Sequence, residues 1–407
     1  MSRPKTACAI AALLTLALAA CGGGNSAGSA SGAGELPGSK CVIPAGPLAV
    51  AMSRRANSPS DLPDPVKRIV QHFVTSVPAG VTGPKLSLIN VDGRPYAAQS
   101  GRFYSDAGNT QALQDDRQNF LAGFINEAAA MRAREPEVDI LAALDKAGIS
   151  AGRPAAGTVV LADSGLSTAG ALDFSQQGVL DASADELVGF LRTTNALPDL
   201  HGLTVMLIGI GEVARPQQEL GSRKKRLVEL WTKIAEASGA ACVAPTEVTR
   251  PDDPLTGDVK PVKLVPVPPP AVYEPHKPFV LPDAGEVGFQ EGEAEFRDIE
   301  AARRVLQPIA TQLKAEPSHH LRLTGTTARW GPRDDQLRLA KERADTVKRE
   351  LVELGADPSQ IETRGVGSYF PQYVPDNGPG GVLLPGPAQE NRTVRIAPCD
   401  QTCSSGT

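Results

Sequence analysis

Residues 325–344 read GTTARWGPRDDQLRLAKERA, a turn of small and hydroxyl residues running into a charged helical stretch. Arginine binds carboxylates through two parallel hydrogen bonds. Arg329, Arg333 and Arg343, brought together in this stretch, would make an anion-seeking pocket. The turn itself carries no acid, because position 328 is alanine. Asp334 and Asp335 stand near the helix start. They could take up an ammonium group, or serve only as favourable first-turn charges. Trp330 offers a ring that could stack on sugar faces or pack the turn against its own domain.

Chemistry of other kinds finds little support. Gly24-Asn25-Ser26-Ala27-Gly28 matches Gly-x-Ser-x-Gly only as part of a Gly/Ser-rich run, and the rest of the chain has no such elbow, no phosphate-binding loop and no zinc-hydrolase histidine pair. GIGEVA (209–214) lacks the acidic ribose partner of a dinucleotide loop. Asp163 and Ser164, in ADSGLSTAG, have no nearby histidine. The five histidines are scattered without zinc spacing, and His319-His320 reads as structural. No enzymatic activity and no metal or other cofactor is expected.

The rest of the chain says where such a pocket would work. A length of 407 residues predicts two or three domains. A net charge of −5, a pI near 5.7 and an aromatic fraction of 4% give no footprint for nucleic acid. MSRPKTACAIAALLTLALAAC opens with Arg3 and Lys5, then runs apolar from Ala7 to Ala20, too short for a comfortable membrane span. Leu18-Ala19-Ala20-Cys21 resembles a bacterial lipobox, which implies that Cys21 is lipidated and becomes the mature N-terminus. The following CGGGNSAGSASGAG is a flexible Gly/Ser tether suited to an anchor. The protein is therefore expected in the cell envelope, extracytoplasmic and lipid-anchored to a membrane. In that oxidising compartment Cys41, Cys242, Cys399 and Cys403 should form disulfides, with three possible connectivities.

Composition divides the chain into a signal peptide (1–20), a tether (21–40), a first domain (41–248), a proline-rich linker (249–278), a second domain (279–398) and a tail (399–407). The linker's dense proline predicts a semi-rigid extended spacer. In the first domain, PLAVAMS (47–53), GTVVLADSG (157–165) and LTVMLIGIG (203–211) read as buried parallel strands. KLSLINVDGRPYAAQSGRF (85–103) reads as two strands around Asp92-Gly93. Helical runs alternate with them at 64–77, 116–133, 138–148, 183–194 and 222–240, with Ser183 as an N-cap. The alternation predicts an α/β, doubly wound sheet.

That order resembles a von Willebrand factor A-like domain over roughly residues 42–248. Many such domains bind a metal through an Asp-x-Ser-x-Ser turn, a Thr and a further Asp. Here the first turn reads Met52-Ser53-Arg54-Arg55-Ala56, the Thr position falls on Val138, and only Asp163 matches. One carboxylate beside two arginines is a poor cage for a hard dication. The resemblance also implies a disulfide between Cys41 and Cys242, which leaves Cys399 with Cys403.

In the second domain, a strand and helix start at 287–296, a helix at 299–316, a strand at 320–325, a long helix at 334–357, a strand and loop at 361–371 and a final strand at 391–398 suggest an α+β, βαβαββ-like order. Its words resemble the OmpA-like, peptidoglycan-associated family across 279–398. Gly325-Thr326-Thr327-Ala328 sits at that family's Gly-His-Thr-Asp, Gln336 at a common Asn, and Leu339, Arg343 and Ala344 on its Leu-Ser-x-x-Arg-Ala helix. GVGSYFP matches its Gly-x-Gly-x-x-x-Pro loop, and Asn391-Arg392 begins its Asn-Arg-Arg strand. The resemblance implies binding of the diaminopimelate of peptidoglycan stem peptides, with Arg343, Thr327, Gln336, Asn391 and Arg392 as ligand-binding positions.

Ala328 removes the family's acid. Losing one partner of a buried charged contact costs ~2–5 kcal/mol, a factor of about thirty to several thousand in affinity. Three readings stay open: a compensated site, an altered and weakened one, or a fold kept for binding proteins. The loop at 374–390, rich in Gly and Pro, could gate the site or be tolerated surface. The expected function is an envelope lipoprotein that tethers or organises the envelope through weak or altered peptidoglycan binding and contacts with envelope proteins. The alternative is an accessory subunit of a secretion or envelope assembly that does not bind the wall.

Overall fold

A computed structural model describes residues 34–35, 41–56, 58, 62–248, 255, 257–268 and 272–399. Cys21, the expected signal peptide and Cys403 lie outside the described residues, and so does the expected Cys399–Cys403 pairing.

The first domain runs β1 (Leu48–Met52), α1 (Asp64–Thr75), β2 (Lys85–Asn90), β3 (Tyr96–Arg102), α2 (Thr110–Ala130), α3 (Ile140–Ser150), β4 (Thr158–Ala162), α4 (Ala184–Thr193), β5 (Thr204–Ile208), α5 (Arg223–Ala237) and β6 (Cys242–Thr246). The sheet order is β6-β5-β4-β1-β2-β3, and all neighbours are parallel except the edge strand β3. Strand side chains alternate faces, and both faces are apolar. Ala49 and Ala51 pack with α3, α4 and α5, whereas Leu48, Val50 and Met52 pack with α1 and α2. Ser183 caps α4 as expected, its Oγ accepting the Glu186 N–H at 3.1 Å. Helix α2 begins at Thr110, ahead of the predicted start, because the Asn109 side chain caps it through the Ala112 N–H at 2.9 Å. Cys242 opens β6 and is bonded to Cys41 across a separation of 201 residues.

The proline-rich stretch is not a free spacer. Val265 is buried in the first domain's core. Its N–H donates to Gln217 Oε1, and its carbonyl accepts from Gln217 Nε2, both at 2.9 Å. Lys263 adds a backbone bond to Pro136 O at 3.0 Å. Valines between the prolines give this stretch an apolar side, and burying it outweighs the intrinsic preference for a solvated polyproline helix.

The second domain runs β7 (Phe279–Pro282), α6 (Ile299–Ala315), β8 (His320–Thr326), α7 (Arg333–Glu353), β9 (Ile361–Gly367), α8 (Pro385–Asn391) and β10 (Thr393–Cys399). The sheet order is β7-β10-β8-β9, with only β8 and β9 parallel. Leu306, Ile309 and Leu313 of α6 and Ala344, Val347 and Leu351 of α7 pack on Leu321, Leu323, Val394 and Ile396. Helix α7 lies so close to the sheet that a Cβ on Gly325 would stand 1.8 Å from Ala340 O, so only glycine fits there. Two expectations are corrected. The strand predicted within 287–296 is a loop closed by the stacked Phe289 and Phe296 rings, and the first strand is β7 instead. The loop at 374–390 contains the start of α8, hidden in sequence by its Gly/Pro composition but begun by Pro385 at the first helical turn.

Candidate functional site

A cavity of about 1210 Å³ lies between the two domains. The second domain lines it with Thr327, Ala328, Trp330, Gln336, Arg343 and Arg392, and the first domain with Asp181, Arg223 and Arg226.

Arg343 comes from the middle of α7 and is 4% exposed. Its Nε donates to Glu293 O at 2.9 Å, and its guanidinium lies 5.0 Å over the Phe289 ring. No carboxylate is ion-paired with it among the described residues. Burial lowers its pKa from the ordinary arginine value, Asp283 opposes that shift, and the neighbouring Arg392 and Arg297 add to it. Arginine nonetheless stays cationic in proteins. The anion-seeking cluster is thus Arg343, Arg392 and Arg297. Arg329 and Arg333, expected in it, do not line the cavity and lie instead over Tyr373 and Tyr369, at 4.9 and 4.5 Å.

Arg392, just before β10, is held by the first domain. Its two terminal nitrogens donate to the two carboxylate oxygens of Glu186, in the first turn of α4, at 2.7 and 2.9 Å. Burial opposes the charge of Arg392, but this carboxylate, with Asp283 and Glu291, more than offsets burial and raises its pKa. Arg226 donates to Ala284 O at 2.9 Å across the same junction. The backbones also meet, since a Cβ on Gly178 would be 2.3 Å from Gly386 O.

The other predicted positions have different surroundings. Thr327 is buried beside the cavity, with no hydrogen-bond partner for its Oγ1 among the described residues. Gln336 spans the turn, donating to Gly331 O at 2.9 Å and accepting from Ser368 Oγ at 2.8 Å. Asn391 is fully buried, does not line the cavity, and exchanges bonds with the Val374 backbone at 2.7 and 2.9 Å. Ala328 is buried at the cavity wall, and Trp330 is 67% exposed, so its ring does not pack the turn. Asp334 is exposed and Asp335 is paired with Arg338 at 3.3 Å.

One important acid was not singled out from sequence. Asp376, fully buried, accepts from the Arg329 N–H at 2.8 Å, from Asn391 Nδ2 at 3.0 Å and from the Tyr373 hydroxyl. It ties the long loop to the turn next to Ala328. It does not line the cavity, so it fixes the turn and not a ligand. An aspartate in a Gly/Pro-rich loop gives no periodic signal that would have marked it.

At the C-terminal ends of β1 and β4, where doubly wound sheets bind ligands, Arg55 and Asp163 form an ion pair at 3.2 Å with side chains 2% and 0% exposed. Asp163 also accepts from the Gly165 N–H at 2.9 Å. A guanidinium placed against the carboxylate does not fit a dication there.

Residues 288–378 match the OmpA family. A 71-residue stretch is 35% identical to the probable lipoprotein YiaD of Escherichia coli (strain K12), covering 17% of this chain and 32% of that protein. The chain thus spans about a third of the length of that curated relative. Similar solved structures include the peptidoglycan-associated lipoprotein from Burkholderia pseudomallei, at 24% identity and TM-score 0.23, covering 27% of this chain and 86% of that one. A periplasmic domain of Helicobacter pylori MotB is 18% identical with TM-score 0.25, covering 30% and 75% respectively. The C-terminal part of this chain carries an OmpA-like domain, and the chain is distantly related to lipoprotein YiaD.

Proposed function

We propose that the chain is a lipid-anchored protein of the bacterial cell envelope that binds peptidoglycan stem peptides weakly through Arg343, and protein partners through its first domain. It acts by binding and not by catalysis. The observation that carries this reading is Arg343 itself. A buried guanidinium without an ion pair, carried by the OmpA-like domain, lines the cavity between the domains beside two more arginines. It suits a carboxylate. The ammonium of a diaminopimelate side chain has no matching acid at Ala328, which makes the site weak or altered. The lipid anchor rests on the Cys21 motif and the YiaD relationship. Among the described residues no helix is long and apolar enough to cross a membrane. The sheet order with one antiparallel edge, and the Cys41–Cys242 bond, support a von Willebrand A-like first domain.

A second reading has its own support. Glu186 already supplies a carboxylate to Arg392, as a ligand would. If the domains stay docked, the module serves protein assembly without wall binding.

Titration of the full chain with a diaminopimelate-containing stem peptide separates the two. Weak binding abolished by Arg343→Ala, and tightened tenfold or more by Ala328→Asp, supports wall binding. No binding by any of the three proteins supports the assembly reading.

A further inference from the structure

The second domain has a polar cluster away from the residues that line the cavity. Glu316 and His319 stand in the turn between α6 and β8. This turn is fixed from behind by Gln360, whose Nε2 donates to the carbonyls of Leu313, Glu316 and His319 at 3.0, 2.9 and 2.9 Å. His276 reaches the turn from the stretch leading into β7. It adopts a left-handed backbone conformation, with φ of 63°, which is uncommon for a non-glycine residue.

The three side chains converge. His276 Nε2 lies 3.3 Å from Glu316 Oε2, the two imidazoles meet edge to face at 4.6 Å, and one ligand atom from each residue falls within 4.8 Å of the others. His319 is 8% exposed, and its Nε2 is buried without a hydrogen-bond partner. The Tyr273 hydroxyl, close enough to Glu316 to feel its charge, is a second buried polar atom without a partner. Orphaned polar atoms around one carboxylate are expensive unless something fills the gap. Burial, and then the neighbouring His276, lower the His319 pKa, a direction that favours the neutral imidazole.

We propose that His276, Glu316 and His319 bind zinc and thereby clip the end of the proline-rich stretch to the second domain. Two imidazoles and a carboxylate are a zinc donor set. Zn–N bonds of ~2.0–2.1 Å in a tetrahedron place ligand atoms about 3.3–3.4 Å apart. The His276–Glu316 pair is already at that separation, and the remaining pairs lie within 4.8 Å. The fourth position is left for water. The ligands were invisible as a zinc motif because His276 is distant in sequence from the other two.

The test is zinc titration of the tag-free full chain by calorimetry, with thermal unfolding followed alongside. Saturable binding of one zinc per chain, with a raised Tm, is expected. Both effects should disappear in His276→Ala, whose exposed side chain can be removed without emptying the core, and in Glu316→Gln. No saturable zinc binding would overturn the proposal. So would binding of equal affinity in wild type and both variants, which would place the metal elsewhere.

Discussion

Glu186→Gln is expected to loosen the two domains by about 2–3 kcal/mol. Glu186 and Arg392 are 10% and 20% exposed and joined by two bonds. Breaking a fully buried ion pair from one side costs ~3–5 kcal/mol. The partial exposure here, and the continued attraction of Arg392 to Asp283 and Glu291, place this pair at or just below the low end. That cost converts to a roughly thirty- to 150-fold shift from docked toward undocked domains. Glutamine keeps the shape, and the Ser183 cap uses only the backbone N–H of residue 186, so α4 itself should persist. Hydrogen exchange is the direct assay. Amides of α8 and of residues 178–186 should exchange faster by up to that factor, while those of α3 and β5 should not change. Stem-peptide binding should tighten in the same variant, because Arg392 is released into the cavity. Unchanged exchange in both segments would refute the reasoning and show that the pair adds nothing to docking.

Reducing the Cys41–Cys242 bond, or replacing both residues by serine, should destabilise the first domain by about 2–5 kcal/mol, read from urea unfolding, because the bond closes a very long loop. Arg55→Met should cost about 3–5 kcal/mol by leaving the Asp163 carboxylate buried without that partner, and pairing it with Asp163→Leu should recover much of the loss in thermal melts. The folded-state pKa of His319 is lowered by burial, so the unfolded chain binds the extra proton first. Stability of the second domain should therefore fall as pH drops through the unfolded value of 6.5 and be fully present above it, a dependence that His319→Gln removes from pH-resolved unfolding curves. Gly178→Ala should separate the domains more strongly than Glu186→Gln in the same exchange assay, because its Cβ meets the Gly386 carbonyl oxygen.

Local pattern carried most of the fold. Continuous apolar runs at 157–165 and 203–211 meant strands buried on both faces, and Ser183 announced a helix start. Both signals are short-range and survive in any tertiary setting. The pattern failed where distant contacts decide. The valines of the linker are used by the first domain's core, the Gly/Pro loop hides α8, and Phe289 and Phe296 close a loop in place of a strand.

The candidate site divides along the same line. Sequence alone determined that Arg343 stands on the helix after a turn lacking an acid, since residue identity and helical spacing are local facts. It could not determine which charges meet. Arg297 and Arg392 join Arg343 because β10, α7 and the loop before α6 converge, while Arg329 and Arg333 turn toward tyrosines. Glu186, Asp376 and the His276 cluster likewise act on partners far along the chain. Electrostatic energy depends on separation in space and on burial, and only the folded chain sets either.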